Sequence, residues 1–143
     1  MEEKNIKEIL EVILDRVGGS DVFWIIEGSA NLKIHGIDVS VQDLDITTND
    51  EGIEFFRDNL KKFIVKDFFS EKINGPSLIC NICGFEVEIN SYGDRKFDVF
   101  VKIEKVLWRD LRLPILSLDD TKKFYESIGR KDEVNLISSY LDE

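Results

Sequence analysis

One stretch, WIIEGSANLKIHGIDVSVQDLDITT at residues 24–48, limits most sharply what this chain can fold into. The continuous apolar run at 22–26 (VFWII) reads as a buried strand. Gly28-Ser29 turns it into a short helix over 29–35, which Gly36 ends. DLDIT then alternates acidic with apolar residues, the pattern of a half-buried strand. Side chains two apart on a strand share a face, so Asp43 and Asp45 project together while Leu44 and Ile46 turn to the core.

Two neighbouring carboxylates repel and raise each other's pKa unless a cation lies between them. An all-oxygen pair suits a hard ion such as Mg²⁺, which completes its shell with water and phosphate oxygens. A glycine at the strand-to-helix turn lets a ligand approach the backbone, and the Ser29 hydroxyl with nearby free N–H groups offers donors to phosphate. The stretch thus reads as a metal–triphosphate site. A third carboxylate would complete a two-metal arrangement, and GFEVEIN puts Glu86 and Glu88 on one strand face. Position in that strand does not choose between them.

The rest of the chain reads as a mixed architecture. Residues 5–17 carry Ile6, Ile9, Leu10, Ile13 and Val17 at helical spacing, stopped by Gly18-Gly19. TNDE at 48–51 has a capping-box pattern ahead of a helix with Ile53, Phe55, Phe56 and Leu60 on its apolar side. KFIVKDFF reads as a strand, and Asn74-Gly75-Pro76 breaks the chain before a hairpin with arms at 78–82 and 85–89. FDVFVKI (97–103) and LPILS (113–117) are further strands. A second capping box at Ser117 to Asp120 starts a helix over 117–128, and a last helix spans 131–141. Hydrophobic residues at 43% beside 34% charged suit one soluble domain over residues 1–143.

A formal net charge of -10 argues against extended nucleic-acid binding, because phosphates are repelled. No apolar run is long enough for a membrane span, and the charged N-terminus lacks a signal-type core, so the expected location is the cytoplasm. Cys80 and Cys83 lack the further ligands zinc needs and read as structural thiols. His35 ends the short helix, where an imidazolium gains from the helix dipole, so capping is its expected role. Lys33, on that helix, and Arg130-Lys131, after Gly129, are weaker candidates for contact with phosphate. Trp24 is expected in the core.

These motifs resemble the nucleotidyltransferase superfamily that includes DNA polymerase β, aminoglycoside nucleotidyltransferases and small stand-alone prokaryotic members. The shared pattern is an apolar strand, Gly-Ser or Gly-Gly, a short helix, Asp-x-Asp, and a third carboxylate on a later strand. Gly28-Ser29 and Asp43-Leu44-Asp45-Ile46 match the first elements, and Val87-Glu88-Ile89 fits the third better than Glu86. The similarity runs through about residues 22–141. Ala30 stands where many minimal members have arginine, the run to the Asp pair is longer, and the third carboxylate is Glu rather than the commoner Asp.

The resemblance implies an α+β fold, a mixed β-sheet flanked by helices in the polymerase β-like arrangement. It implies transfer of a nucleoside monophosphate from an NTP, ATP favoured, to a hydroxyl acceptor, with release of pyrophosphate. Ser29 would contact the terminal phosphates. Asp43, Asp45 and Glu88, with Glu86 as fallback, would hold two Mg²⁺ or Mn²⁺ ions. The acceptor would be a small molecule, a protein or an RNA end. The alternative is an antitoxin-like or catalytically silent module that works by contact with a toxin-like partner. A homodimer would supply a second wall to the cleft.

Overall fold

The structure is a computed structural model that describes residues 1–93 and 103–142. Its centre is a seven-stranded sheet in the order β3-β4-β5-β2-β1-β7-β6. In chain order the strands are β1 Trp24–Glu27, β2 Leu44–Thr48, β3 Ile64–Ser70, β4 Gly75–Ile82, β5 Phe85–Ser91, β6 Ile103–Trp108 and β7 Leu111–Leu116. The helices are α1 Glu3–Val17, α2 Gly28–Ile34, α3 Asp50–Asn59, α4 Leu118–Ser127 and α5 Lys131–Leu141. The sheet is mixed: β1 runs parallel to β7 and antiparallel to β2, and β2 runs parallel to β5. The expected α+β class is what the chain adopts.

Alternation along β1 divides the core. Trp24 and Ile26 join α1 and α3 on one face of the sheet, and Ile25 joins Phe124, Tyr125 and Ile137 of α4 and α5 on the other. Ile6, Ile9, Leu10, Ile13 and Val17 of α1 are all buried, as their spacing demands. Each contributes about 1.5–3 kcal/mol of apolar burial. Trp24 is in the core, edge-on to Phe56 at 6.1 Å between ring centroids. The β4–β5 hairpin closes through Cys83 and Gly84, both at positive φ, and both cysteines are free thiols. Burial pushes the Cys80 thiol up to about 11, so it is inert at neutral pH.

Several local expectations are corrected. Thr48 is the last residue of β2, its hydroxyl donating to the Phe23 carbonyl, and the cap of α3 is Asn49, whose side chain accepts from the Gly52 N–H at 2.7 Å. The chain turns at 71–74, so Gly75 and Pro76 already belong to β4 rather than to a break before it. Strand candidate 97–103 lies outside the described residues except for Ile103, the first residue of β6. β6 and β7 form a hairpin over Arg109-Asp110, at φ 48° and 69°. The Ser117 cap holds as expected, accepting from the Asp120 N–H at 3.1 Å. Among the described residues no helix is long and apolar enough to cross a membrane.

Candidate active site

Register brings the acidic residues together. Glu27 at the end of β1 pairs with Asp45 near the start of β2, and Asp45 pairs with Glu88 in β5. Residues opposite one another on paired strands point to the same face, so three carboxylates stand in one row across β1, β2 and β5. Asp43 lies one residue before β2 rather than within it, yet its side chain joins the row. One oxygen from each of Asp43, Asp45 and Glu88 lies within 4.8 Å of the others. Glu86 sits two residues nearer the β4–β5 turn, outside that cluster and exposed. Leu44 and Ile46 between and beyond the aspartates are fully buried, so the alternation in DLDIT does the positioning.

Asp45 carries the electrostatic load. Its carboxyl is pushed up to about 7, first by burial and then by the charges of Asp43, Glu88, Glu27 and Glu86. Gly28, at φ +68°, brings its backbone against this carboxylate: a Cβ there would stand 2.6 Å from Asp45 Oδ2. Only glycine combines that left-handed backbone with so close an approach. The donor set is all oxygen, concentrated and partly desolvated, which fits a hard divalent ion and relieves the repulsion within the cluster.

The triad lines a cleft of about 850 Å³ that also receives Gly28, Ser29, Asn90, Tyr125 and Arg130. Arg130 caps α5, pairs with Glu133, and lies 5.9 Å from the Tyr125 ring centroid. Tyr125 is buried, which with Glu27 and Glu133 nearby pushes its phenol up to about 12. Lys131 does not line the cleft. Lys33 does not either; its ammonium donates to the Val39 carbonyl at 3.3 Å, bracing the loop that leads to Asp43. The imidazolium reading of His35 is corrected. Its Nε2–H donates to the Leu116 carbonyl at 2.7 Å, and burial lowers its pKa, so the neutral ring ties α2 to β7.

Two residues escaped the sequence reading. Glu27 lines the cleft and accepts from the Thr47 hydroxyl; its signal was a lone acid closing a buried apolar strand immediately before Gly-Ser. Asn31, buried in α2, donates to the Ile26 carbonyl at 3.1 Å and accepts from Thr121 at 3.4 Å. It locks α2 to β1 and α4, and a single Asn in a short polar helix gives no sequence signal of that.

No family profile and no curated protein matches the sequence. Solved structures do. A candidate nucleotidyltransferase from Thermotoga maritima superposes with a TM-score of 0.80 at 25% identity, covering 99% of this chain and 96% of that one. The lincosamide antibiotic adenylyltransferase LnuA, in its lincomycin-bound form, gives 0.63 at 12% identity over 97% of this chain and 98% of its own. The antibiotic-resistance factor ANT(2'')-Ia gives 0.67 at 8% identity over 99% of this chain and 86% of its own. Over nearly its whole length the chain has the fold of these nucleotidyltransferases.

Proposed function

We propose that this chain, acting as one domain over residues 1–143, transfers a nucleoside monophosphate from an NTP to a hydroxyl acceptor. The observation that carries this reading is the Asp43–Asp45–Glu88 cluster beside Gly28-Ser29 in one cleft. ATP is the favoured donor, in keeping with the adenylyltransferase among the structural neighbours.

Asp43 and Asp45 would hold two divalent ions, Mg²⁺ or Mn²⁺, and Glu88 would share one of them. When bound, these ions neutralise the triphosphate and stabilise charge that develops in the displacement. Ser29 and the glycine turn would position the terminal phosphates. The acceptor oxygen attacks the α-phosphorus, the bond to the bridging oxygen breaks, and pyrophosphate leaves with that electron pair. Glu88 would take the hydroxyl proton. The remaining work is alignment, which a rigid sheet edge supplies well. Arg130 adds positive charge at the cleft rim once its contact with Glu133 is exchanged for phosphate.

The test is label transfer. ATP labelled at the α-phosphate and, separately, at the γ-phosphate is incubated with protein, Mg²⁺ and a cell extract. The reading expects only the α-label in covalent product, abolished by Asp43→Asn. Transfer of the γ-label, or α-label transfer that survives Asp43→Asn, refutes it.

A further inference from the structure

The two sides of the triad differ in chemistry. On the β1 side lie Gly28-Ser29, Glu27 and Glu133, with Arg130 as the cation. On the β5 side, past Glu88, the cleft is lined by Asn90, Ser70, Lys72 and Ile73. This second wall contains no carboxylate beyond Glu88 itself among the described lining residues, in a chain of net charge -10. It is a wall of donors.

Its parts are set by the fold. Asn90 is two residues beyond Glu88 on β5 and so shares its face. The buried Ser77 hydroxyl, opposite on β4, donates to Asn90 Oδ1 at 2.6 Å, so the amide N–H groups of this cleft-lining residue are left to donate elsewhere. Lys72 lies in the turn between β3 and β4, and among the described residues its ammonium has no hydrogen bond or ion pair. Lys66 on β3 is in the same row as Glu88, through Ile79, so a second cation faces the same side. Among the described residues, neither Glu71, beside Lys72 in the turn, nor Asp67 or Glu86 lines the cleft. Asp67 is on the opposite face, held by Arg57 at 2.6 Å, and Glu86 lies toward the other end of β5.

In-line displacement puts the attacking oxygen opposite the leaving pyrophosphate. With the phosphates over Gly28-Ser29, the acceptor enters from the β5 side, against this wall. We propose that the acceptor is a hydroxyl compound bearing an anionic group, a phosphate or carboxylate, held by Lys72 and the Asn90 amide. This rests on the nucleotidyl-transfer reading and names its second substrate by class. Asn90 is two positions along β5 from Glu88, about 7 Å, so the anion stands roughly 7–12 Å from the reacting hydroxyl. A polycationic acceptor finds no countercharge on this wall beyond Glu88, among the described residues.

The experiment uses ¹⁵N-labelled full chain saturated with Mg²⁺ and a non-hydrolysable ATP analogue, which reports on Gly28 and Ser29. Inorganic phosphate, acetate and spermidine are then titrated separately, into wild type and Lys72→Gln. The proposal expects saturable shifts at Ser70, Lys72 and Asn90 with phosphate or acetate, the stronger of the two identifying the anion. Lys72→Gln should weaken that binding by at least about 5-fold with nucleotide affinity unchanged. Absence of saturable anion shifts, equal affinity in Lys72→Gln, or spermidine as the ligand of this wall overturns it. Failure of the nucleotide analogue to shift Gly28 and Ser29 is a separate result and refutes the underlying reading instead.

Discussion

Replacing Asp45 by asparagine should stabilise the metal-free protein, although the residue is central to the proposed site. Carboxylate oxygens within 4.8 Å of one another repel by about 3–4 kcal/mol per charged pair at an effective dielectric of about 20. Raising Asp45 from 3.8 to about 7 corresponds to about 4 kcal/mol. Asp45 is only half-buried, and solvent screening brings the realised figure to about 1–2 kcal/mol. Between about pH 4 and 7 the folded chain keeps a proton on Asp45 that the unfolded chain has lost. Wild-type stability from this group therefore falls as pH rises through that window and levels off above it. Asp45→Asn removes the effect, so its advantage should be near zero at pH 4 and full at pH 8, a rise in Tm of about 2–8 °C for a chain of this size. Thermal unfolding of both proteins in EDTA across pH 4–8 measures it, and comparing the two cancels titrating groups remote from the cluster, His35 among them. Adding Mg²⁺ at pH 8 should reverse the order, because only wild type gains from binding. A lower Tm for the variant at pH 8, or an advantage independent of pH, would refute the electrostatic reasoning.

Other perturbations address different parts of the fold. Gly28→Ala should cost about 1–2 kcal/mol from its φ of +68° and, by displacing Asp45 from 2.6 Å, weaken Mn²⁺ binding at least about 10-fold; paramagnetic titration reads the second effect. Asn31→Leu leaves the Ile26 carbonyl and the Thr121 hydroxyl without their partner, and denaturant melts should show a loss of about 1–3 kcal/mol. Asp110→Gly relieves a left-handed residue in the β6–β7 turn and should raise stability by up to about 1 kcal/mol in the same assay.

Where a side-chain period or a cap governs structure locally, the sequence was readable. The α1 stripe, the alternation of DLDIT and the Ser117 cap each depend on neighbours in the chain, and each stands as expected. Choices made by strand pairing were not readable. Glu86 and Glu88 are equivalent in their alternation along β5; the resemblance alone favoured Glu88, and the physical reason is the parallel register with β2, which sets Glu88 opposite Asp45. Glu27 enters the acidic row for the same reason, through the antiparallel register of β1 with β2. The β6–β7 hairpin was hidden because Arg109-Asp110 takes positive φ without the glycine or asparagine that usually marks such a turn. The box at 48–51 pointed to Thr48 as the cap; the pairing of Thr48 with Trp24 keeps it in β2 and leaves the cap to Asn49. For His35, solvent exposure decided the charge state, and a helix end alone does not reveal that it is covered by β7.

The most direct measurement is calorimetric titration of a non-hydrolysable ATP analogue into wild type and Asp43→Asn/Asp45→Asn, each with Mg²⁺ and with EDTA. A triad that holds the ions of a bound nucleotide predicts saturable binding to wild type with Mg²⁺, lost in EDTA and lost in the folded double variant. Equal binding in all four titrations, or no binding of ATP, GTP, CTP or UTP analogues to folded wild type, would contradict it.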